Sequence, residues 1–431
     1  MAGAVGVVAA AGAAVVGLTP TIAASPQLMA EVYYLPGTKI GTVRTPAQSE
    51  DFALAISTAA GQPHTEGEYQ EVPYPASIWP FSTGGLSDPK WNDSVAAGLA
   101  ALTADQPGSG DTIIGYSQGA VVATEYKRAH PDSGVDYVLV ENPNRPNGGL
   151  LERFNGLNVP ILDISFNGAT PVNPNPTDTS GKTVDISRQY DGWSDFPAYP
   201  LNVLADANAI AGIYYLHGST QDLGSDALDG VDTTHGNTMY YQVHGDTTYY
   251  LIKTDQLPIL MPFNGIVPKP VLDALDPPLR YLVELGYDRA DYSTPTPAGL
   301  VPNLNPVTVA TGFAEATGQG VQAGLGQSTP TIADARRAPI STPAELNTPK
   351  LKAPKLDLPK LDVPKLELPK LNPPKPRNTV STVSNSVTKP NTKAGNGNPV
   401  KSIQSALKSI AKNLAPKAKP AKADKDSSGE S

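Results

Sequence analysis

The residues with the clearest capacity for chemistry are Gly115-Tyr116-Ser117-Gln118-Gly119, a G-x-S-x-G pattern. A serine in this setting is lifted onto a sharp turn between a strand and a helix, where its hydroxyl is presented for attack on a carbonyl carbon. The flanking glycines let the strand and helix backbones crowd together, and the amide of the following residue, Gln118, points to where an oxyanion would form. Such a serine needs a base, and the base needs a carboxylate to orient it. The five histidines, His64, His130, His217, His235 and His244, are the candidate bases.

The surroundings suit the motif. Asp111-Thr-Ile-Ile-Gly115 reads as a short buried strand, and Ala120 to Ala129 as a helix directly after the serine. Further strands are expected at Glu31–Leu35, Val135–Val140, Val159–Phe166, Thr183–Tyr190 and Thr247–Lys253. Helices are expected at Ser49–Ala60, Pro89–Thr103 and Leu201–Leu216. Alternating strands and helices predict an α/β domain over residues 30–300, with a mostly parallel sheet covered by helices on both faces. In that architecture the acid and then the base follow the serine along the chain. His64 precedes the serine and His130 ends the next helix, where it suits a cap, so His217, His235 and His244 remain. Two acids lie just past a late strand in Tyr190-Asp191-Gly-Trp-Ser-Asp195-Phe-Pro197. Asp195, a few residues beyond the strand and followed by Phe-Pro, is the expected acid; Asp191 is the alternative, suited instead to capping loop amides.

Outside this domain the composition changes. The 431 residues include 44 Pro and 39 Gly but no Cys, which excludes disulfides, thiol nucleophiles and cysteine-ligated metals. Residues 1–348 hold 15 basic against 35 acidic side chains and residues 349–431 hold 17 against 6, an acidic body with a basic tail. An acidic body argues against nucleic-acid binding. Residues 4–18 are apolar and uncharged, so residues 1–25 read as a signal-like segment directing export, with small residues near Ala24 for cleavage. Residues 301–348 read as a linker. Residues 349–377 repeat Pro-Lys-Leu every five residues, which suits neither helix nor sheet. Residues 378–431 form a basic low-complexity tail in which 400–414 place Val400, Ile403, Leu407, Ile410 and Leu414 on one helical face, suited to weak contact with an anionic membrane or envelope. No phosphate loop, dinucleotide fingerprint or histidine pair at metal-ligand spacing occurs, so no cofactor and no metal are expected.

The nucleophile sequence Gly-Tyr-Ser-Gln-Gly, Tyr74-Pro75-Ala76 and the Pro36-Gly37-Thr38 stretch resemble cutinases. Asn142-Pro-Asn-Arg-Pro-Asn-Gly148, Gln189 to Pro197, Tyr199-Pro-Leu-Asn202, Ala211 to Gly218 and Asp246 to Ile252 extend the resemblance to the PE-PPE domain of mycobacterial cell-envelope proteins, over roughly residues 30–290. The resemblance implies a cutinase-like α/β-hydrolase fold and a secreted or envelope-located serine esterase or lipase-like enzyme acting on acyl esters. Alternatives are an acyltransferase that moves fatty acyl groups onto envelope glycolipids, and a non-catalytic envelope-binding protein. It also implies Thr38 as a second oxyanion donor beside Gln118, and His217 as the base, with His244 and then His235 as alternatives.

Overall fold

The computed structural model describes residues 30–327 except Asp178 and His235. The signal-like segment, the Pro-Lys-Leu repeat, the basic tail with its 400–414 segment, and the candidate base His235 lie outside the described residues. Among the described residues, no helix is long and apolar enough to cross a membrane.

In chain order the elements are β1 (Val32–Leu35), α1 (Pro46–Ala59), β2 (Tyr69–Glu71), α2 (Trp91–Asp105), β3 (Thr112–Tyr116), α3 (Gln118–Ala129), β4 (Asp136–Val140), α4 (Leu150–Arg153), β5 (Asn158–Val159), β6 (Ile164–Ser165), β7 (Thr183–Arg188), α5 (Val203–Gly212), β8 (Tyr241–His244), β9 (Thr247–Ile252), α6 (Lys269–Glu284) and α7 (Pro306–Gly324). Seven strands form one sheet in the order β2-β1-β3-β4-β7-β9-β8. Every pairing in it is parallel except that of β8 with β9. The fold class is therefore the expected α/β one.

The short apolar strands are buried along their whole length because both faces of the sheet are covered. Tyr33, Leu35, Ile113, Tyr137 and Leu139 pack with residues of α2 and α3 on one face. Val32, Tyr34, Ile114, Tyr116, Val138 and Val140 pack with Phe52, Ala53 and Ile56 of α1 on the other. The chain leaves β1 toward β2 on one side and returns to place β3 on the other. This opens a crevice beyond the carboxyl ends of β1 and β3, the usual place for a ligand in an open α/β sheet.

Three expectations differ from the structure, and two edge strands were not among the expected elements. Val159–Phe166 is not a sheet strand: β5 and β6 pair with each other as a small antiparallel hairpin, since a Pro160-to-Asp163 turn interrupts the apolar run. The Leu201–Leu216 helix is shorter, with α5 passing into a π-helical turn over Ile213–His217. The short edge strands β2 and β8 carry too few apolar residues to announce themselves. Part of the expected linker is helical: α7 packs on α6, with its Gly320 and Gly324 against Ala274 and its Gly312 against Tyr281.

The turn from β3 into α3 depends on backbone contact. A Cβ at Gly119 would lie 2.0 Å from the Leu35 carbonyl oxygen of β1, and one at Gly115 would lie 2.6 Å from the Gly119 oxygen. Neither neighbour is a flexible side chain that can step aside. Gly119→Ala should therefore destabilise the domain by about 1–3 kcal/mol or more, read as a lowered midpoint in urea unfolding followed by circular dichroism.

Candidate active site

Ser117 sits between β3 and α3 with φ 55° and ψ −115°, a backbone conformation that a non-glycine residue adopts only when its surroundings enforce it. Its amide donates to the Val140 carbonyl at the end of β4 (2.9 Å), which pins the turn to the neighbouring strand. The Gln118 side chain is fully buried: its amide donates to the Ser77 carbonyl (2.8 Å) and its oxygen accepts from Ser94 (3.0 Å). Gln118 thus ties the turn to α2 and to the Tyr74-Pro75-Ala76 stretch, whose tyrosine hydroxyl in turn donates to the Pro36 carbonyl. The backbone amide of Gln118 is at the first position of α3, where no intrahelical acceptor exists. Gly37 lies so close to the serine that a Cβ there would be 3.0 Å from that of Ser117. The turn carrying Thr38 is therefore brought against Ser117.

His217 reaches this place from the π-helical turn after α5. A Cβ at Gly212 would lie 1.8 Å from the Tyr190 carbonyl oxygen. The end of α5 thus lies directly on the loop after β7, and the following turn swings His217 over the carboxyl ends of the strands. Its Nε2 is 2.8 Å from Ser117 Oγ, and its Nδ1 is 2.5 Å from Asp191 Oδ2. Tyr116 holds the imidazole from below: its ring stacks on that of His217 with centroids 5.4 Å apart, and its hydroxyl donates to the His217 carbonyl (2.7 Å). Burial pushes the imidazole down from its ordinary 6.5 to about 4. Burial likewise raises Asp191 to about 6, against the lowering effect of hydrogen bonds from Glu141 and the Trp193 amide.

Of the two acids after β7, Asp191 meets the histidine and Asp195 does not. Asp195 turns away: it accepts from the Tyr190 amide (2.8 Å) and pairs with Arg289, which also contacts Glu284. The expected acid is corrected on this geometry. The reason is the left-handed backbone at Tyr190 (φ 74°), which turns the chain so sharply that Asp191, not Asp195 four residues on, faces the histidine. His244 is equally remote. It ends the antiparallel strand β8 beside Thr247, at the amino ends of the parallel strands and so at the edge opposite Ser117, where it contacts Gln242 and Asp291. His130 stacks on Tyr126 at the end of α3, and His64 contacts Thr112 and Glu68.

The acid loop rests on the buried Asn142–Gly149 segment. The Phe196 amide donates to the Gly148 carbonyl (2.6 Å) and the Leu150 amide to the Trp193 carbonyl (2.9 Å). Arg145 anchors that segment through an ion pair with Asp185 (2.7 Å) and by lying over the Tyr249 and Tyr292 rings. Two residues that the sequence reading passed over stand close by. Trp193 stacks on Trp91 at 5.8 Å and lies beside His217. Glu141, directly after β4, is fully buried; the signal in the sequence was only an acid directly after an apolar strand, and its place level with Ser117 comes from the sheet. Glu141, Asp191 and His217 each offer a metal-ligand type of atom within 4.8 Å of the others, but all three are already engaged in hydrogen bonds.

The PE-PPE domain family matches residues 65–288, just over half of the sequence. The chain belongs to this family. It is 37% identical over 292 residues to a protein named esterase PE16 of Mycobacterium tuberculosis, covering 63% of this chain and 52% of that protein. It is 30% identical over 249 residues to one named SL1278 acyltransferase Chp1 of the same organism, covering 54% of this chain and 57% of that protein. The chain thus spans about half the length of the curated relatives it matches. Among solved structures, a cutinase-like protein from Cryptococcus sp. matches 38% of this chain and 79% of its own at 21% identity, with a TM-score of 0.23.

The two acids should separate cleanly in unfolding experiments. Asp195→Ala leaves the Arg289 guanidinium short of a partner and the Tyr190 amide without an acceptor, and should cost about 2–4 kcal/mol in urea denaturation. Asp191→Asn keeps the shape of the side chain and should cost distinctly less.

Proposed function

We propose that this PE-PPE domain is a serine-dependent enzyme acting on acyl esters, with Ser117 as nucleophile, His217 as base and Asp191 as the orienting acid. The observation that carries the reading is the unbroken chain of two hydrogen bonds from Ser117 through His217 to Asp191. Ser117 Oγ attacks the ester carbonyl carbon while its proton passes to His217 Nε2. Asp191 holds the Nδ1–H tautomer and offsets the charge on the imidazolium. The oxyanion takes hydrogen bonds from the Gln118 amide and from Thr38, at the positive end of α3. Collapse breaks the ester C–O bond, His217 returns the proton to the leaving alkoxide, and the acyl group remains on Ser117. Water, activated by the same histidine, then releases the acid.

A second reading keeps the acyl-enzyme and changes the acceptor to an alcohol. What favours it is the Trp91–Trp193 stack beside His217, an apolar wall suited to shielding the acyl-enzyme from water, together with the relative named as an acyltransferase. Lipid-like esters are the proposed substrate class under either reading. The proposed location is outside the cytosol, at the cell envelope, supported by the apolar segment 4–18 and the basic tail. If the tail provides weak electrostatic attachment, full-length protein should sediment with anionic vesicles at low salt, while a chain ending at residue 340 stays in solution with soluble-ester activity intact. Equal sedimentation of the two would reject the attachment.

Ser117→Ala should lower kcat/KM on soluble esters of graded chain length by about 10³-fold or more, His217→Ala by a similar factor, and His244→Ala by little. The base must be neutral to accept the proton, so activity is full at high pH and falls as pH drops through the groups that burial has shifted. With His217 lowered to about 4 and Asp191 raised to about 6, the acid limb of kcat/KM should lie between those values, below that of an ordinary imidazole. A limb at or above 6.5 would show that burial does not depress the His217 imidazole; loss of activity in His217→Ala is the test of its role as the base. Adding a sugar alcohol to the assay separates the two readings, because only an acyltransferase diverts product from free acid to ester.

A further inference from the structure

Glu141 stands at the centre of the site, yet no step of the reaction above uses it. It follows β4 on a left-handed backbone (φ 50°) and is fully buried. Its amide continues the ladder to the Ile186 carbonyl of β7 (2.9 Å), so its position is set by the sheet. Three donors converge on its carboxyl group: Thr220 Oγ1 (2.7 Å), Ser194 Oγ (2.5 Å) and the Arg188 amide (3.2 and 3.3 Å to the two oxygens). A Glu141 oxygen, an Asp191 oxygen and a His217 nitrogen lie within 4.8 Å of one another.

The charged and titratable groups around it come from four elements. Tyr116 ends β3; Arg188 ends β7; Asp191 and Asp195 occupy the following loop; His217 ends the π-helical turn. The Arg188 guanidinium donates to Ser219 and Asp195 is paired with Arg289, so among the described residues no Lys or Arg side chain is hydrogen-bonded to Glu141. Two carboxyl groups this close in a dry interior do not both carry charge. Burial above all, then the Asp191 charge and the hydrogen bond between the two acids, hold the Glu141 carboxyl well above the usual carboxylate range. The same bond acts on Asp191 in the opposite sense, favouring its charged form.

We propose that Glu141 is a positioning residue: as a neutral carboxylic acid it donates a hydrogen bond to Asp191 and holds that carboxylate against His217, leaving one negative charge on the pair. The proposal rests on the serine-enzyme reading above. An ionised Glu141 would place a second negative charge beside the imidazole and repel the acid that orients it. The neutral acid instead shares with the Trp193 amide the task of fixing Asp191.

Two substitutions and one spectrum in the full-length protein test this. Glu141→Gln keeps an N–H donor for Asp191 and one carbonyl oxygen for the Arg188 amide and one of the two hydroxyls. The other hydroxyl, Thr220 or Ser194, loses an acceptor but keeps its second partner, Leu216 or Ser187, so kcat should stay within about threefold of wild type. Its acid limb should move by no more than about 0.3 pH unit. Glu141→Leu removes the donor and should lower kcat by about 10- to 100-fold with KM little changed. The infrared difference between wild type and Glu141→Gln at pH 7 should contain the C=O stretch of a protonated carboxylic acid. Absence of that band, a Glu141→Gln variant as impaired as Glu141→Leu, an acid limb moved by a full unit, or a fully active Glu141→Leu would each overturn the proposal. If Glu141→Leu does not fold, the Gln variant and the infrared band still decide. Ser117→Ala assayed in parallel separates the two failures: retained activity there defeats the serine-enzyme reading, while the infrared band reports on Glu141 regardless.

Discussion

Three neighbouring parallel strands, β3, β4 and β7, carry their carboxyl ends side by side, β7 running two residues past the other two, and the site is built on that alignment. Tyr116 is in register with Val140, and Val140 with Ile186, so the residues just past them, Ser117, Glu141 and the Arg188–Asp191 corner, emerge side by side. Backbone hydrogen bonds set this spacing: the Ser117 amide binds the Val140 carbonyl, and the Glu141 amide binds that of Ile186. Parallel ladders fix such distances without help from side chains. What remains is to turn each chain sharply as it leaves the sheet. Ser117, Glu141 and Tyr190 all do so with positive φ, a cost that persists only where the surrounding structure enforces it.

That enforcement comes from a large buried polar framework. The Asn142–Gly149 segment contributes no group to the serine–histidine–acid chain, yet its residues are almost wholly buried. Arg145 and Asn142 both bind Asp185 on β7. Arg153 joins Asn147 to the Phe196 and Thr296 carbonyls. Buried ion pairs add little net stability over well-packed apolar groups, but they accept only one geometry. Here that geometry holds the acid loop against the ends of the strands. Asp195 belongs to this framework through Arg289, which accounts for a second acid so near the first.

The serine turn is legible in the sequence because its requirements are local. A short apolar strand, a G-x-S-x-G corner and an alanine-rich helix are contiguous, and the glycines answer to a backbone contact that any such corner makes. The alternating pattern likewise determines the α/β class and the mostly parallel sheet, since apolar runs too short for helices must pair and the intervening helices must cover them. The choice of acid is different. Asp191 and Asp195 sit in one loop four residues apart, and only the left-handed turn at Tyr190, imposed by α5 lying on that loop at Gly212, decides which faces the histidine. The placements of His217 and His244 are likewise decided by where a helix end and an edge strand are carried in space. Glu141 becomes prominent only once β4 is known to lie between β3 and β7. The sequence by itself determined the elements and the serine corner, because hydrophobic periodicity and backbone crowding act over a few residues. The tertiary structure alone decided the partners of that serine, because strand order and loop direction bring together groups up to 100 residues apart.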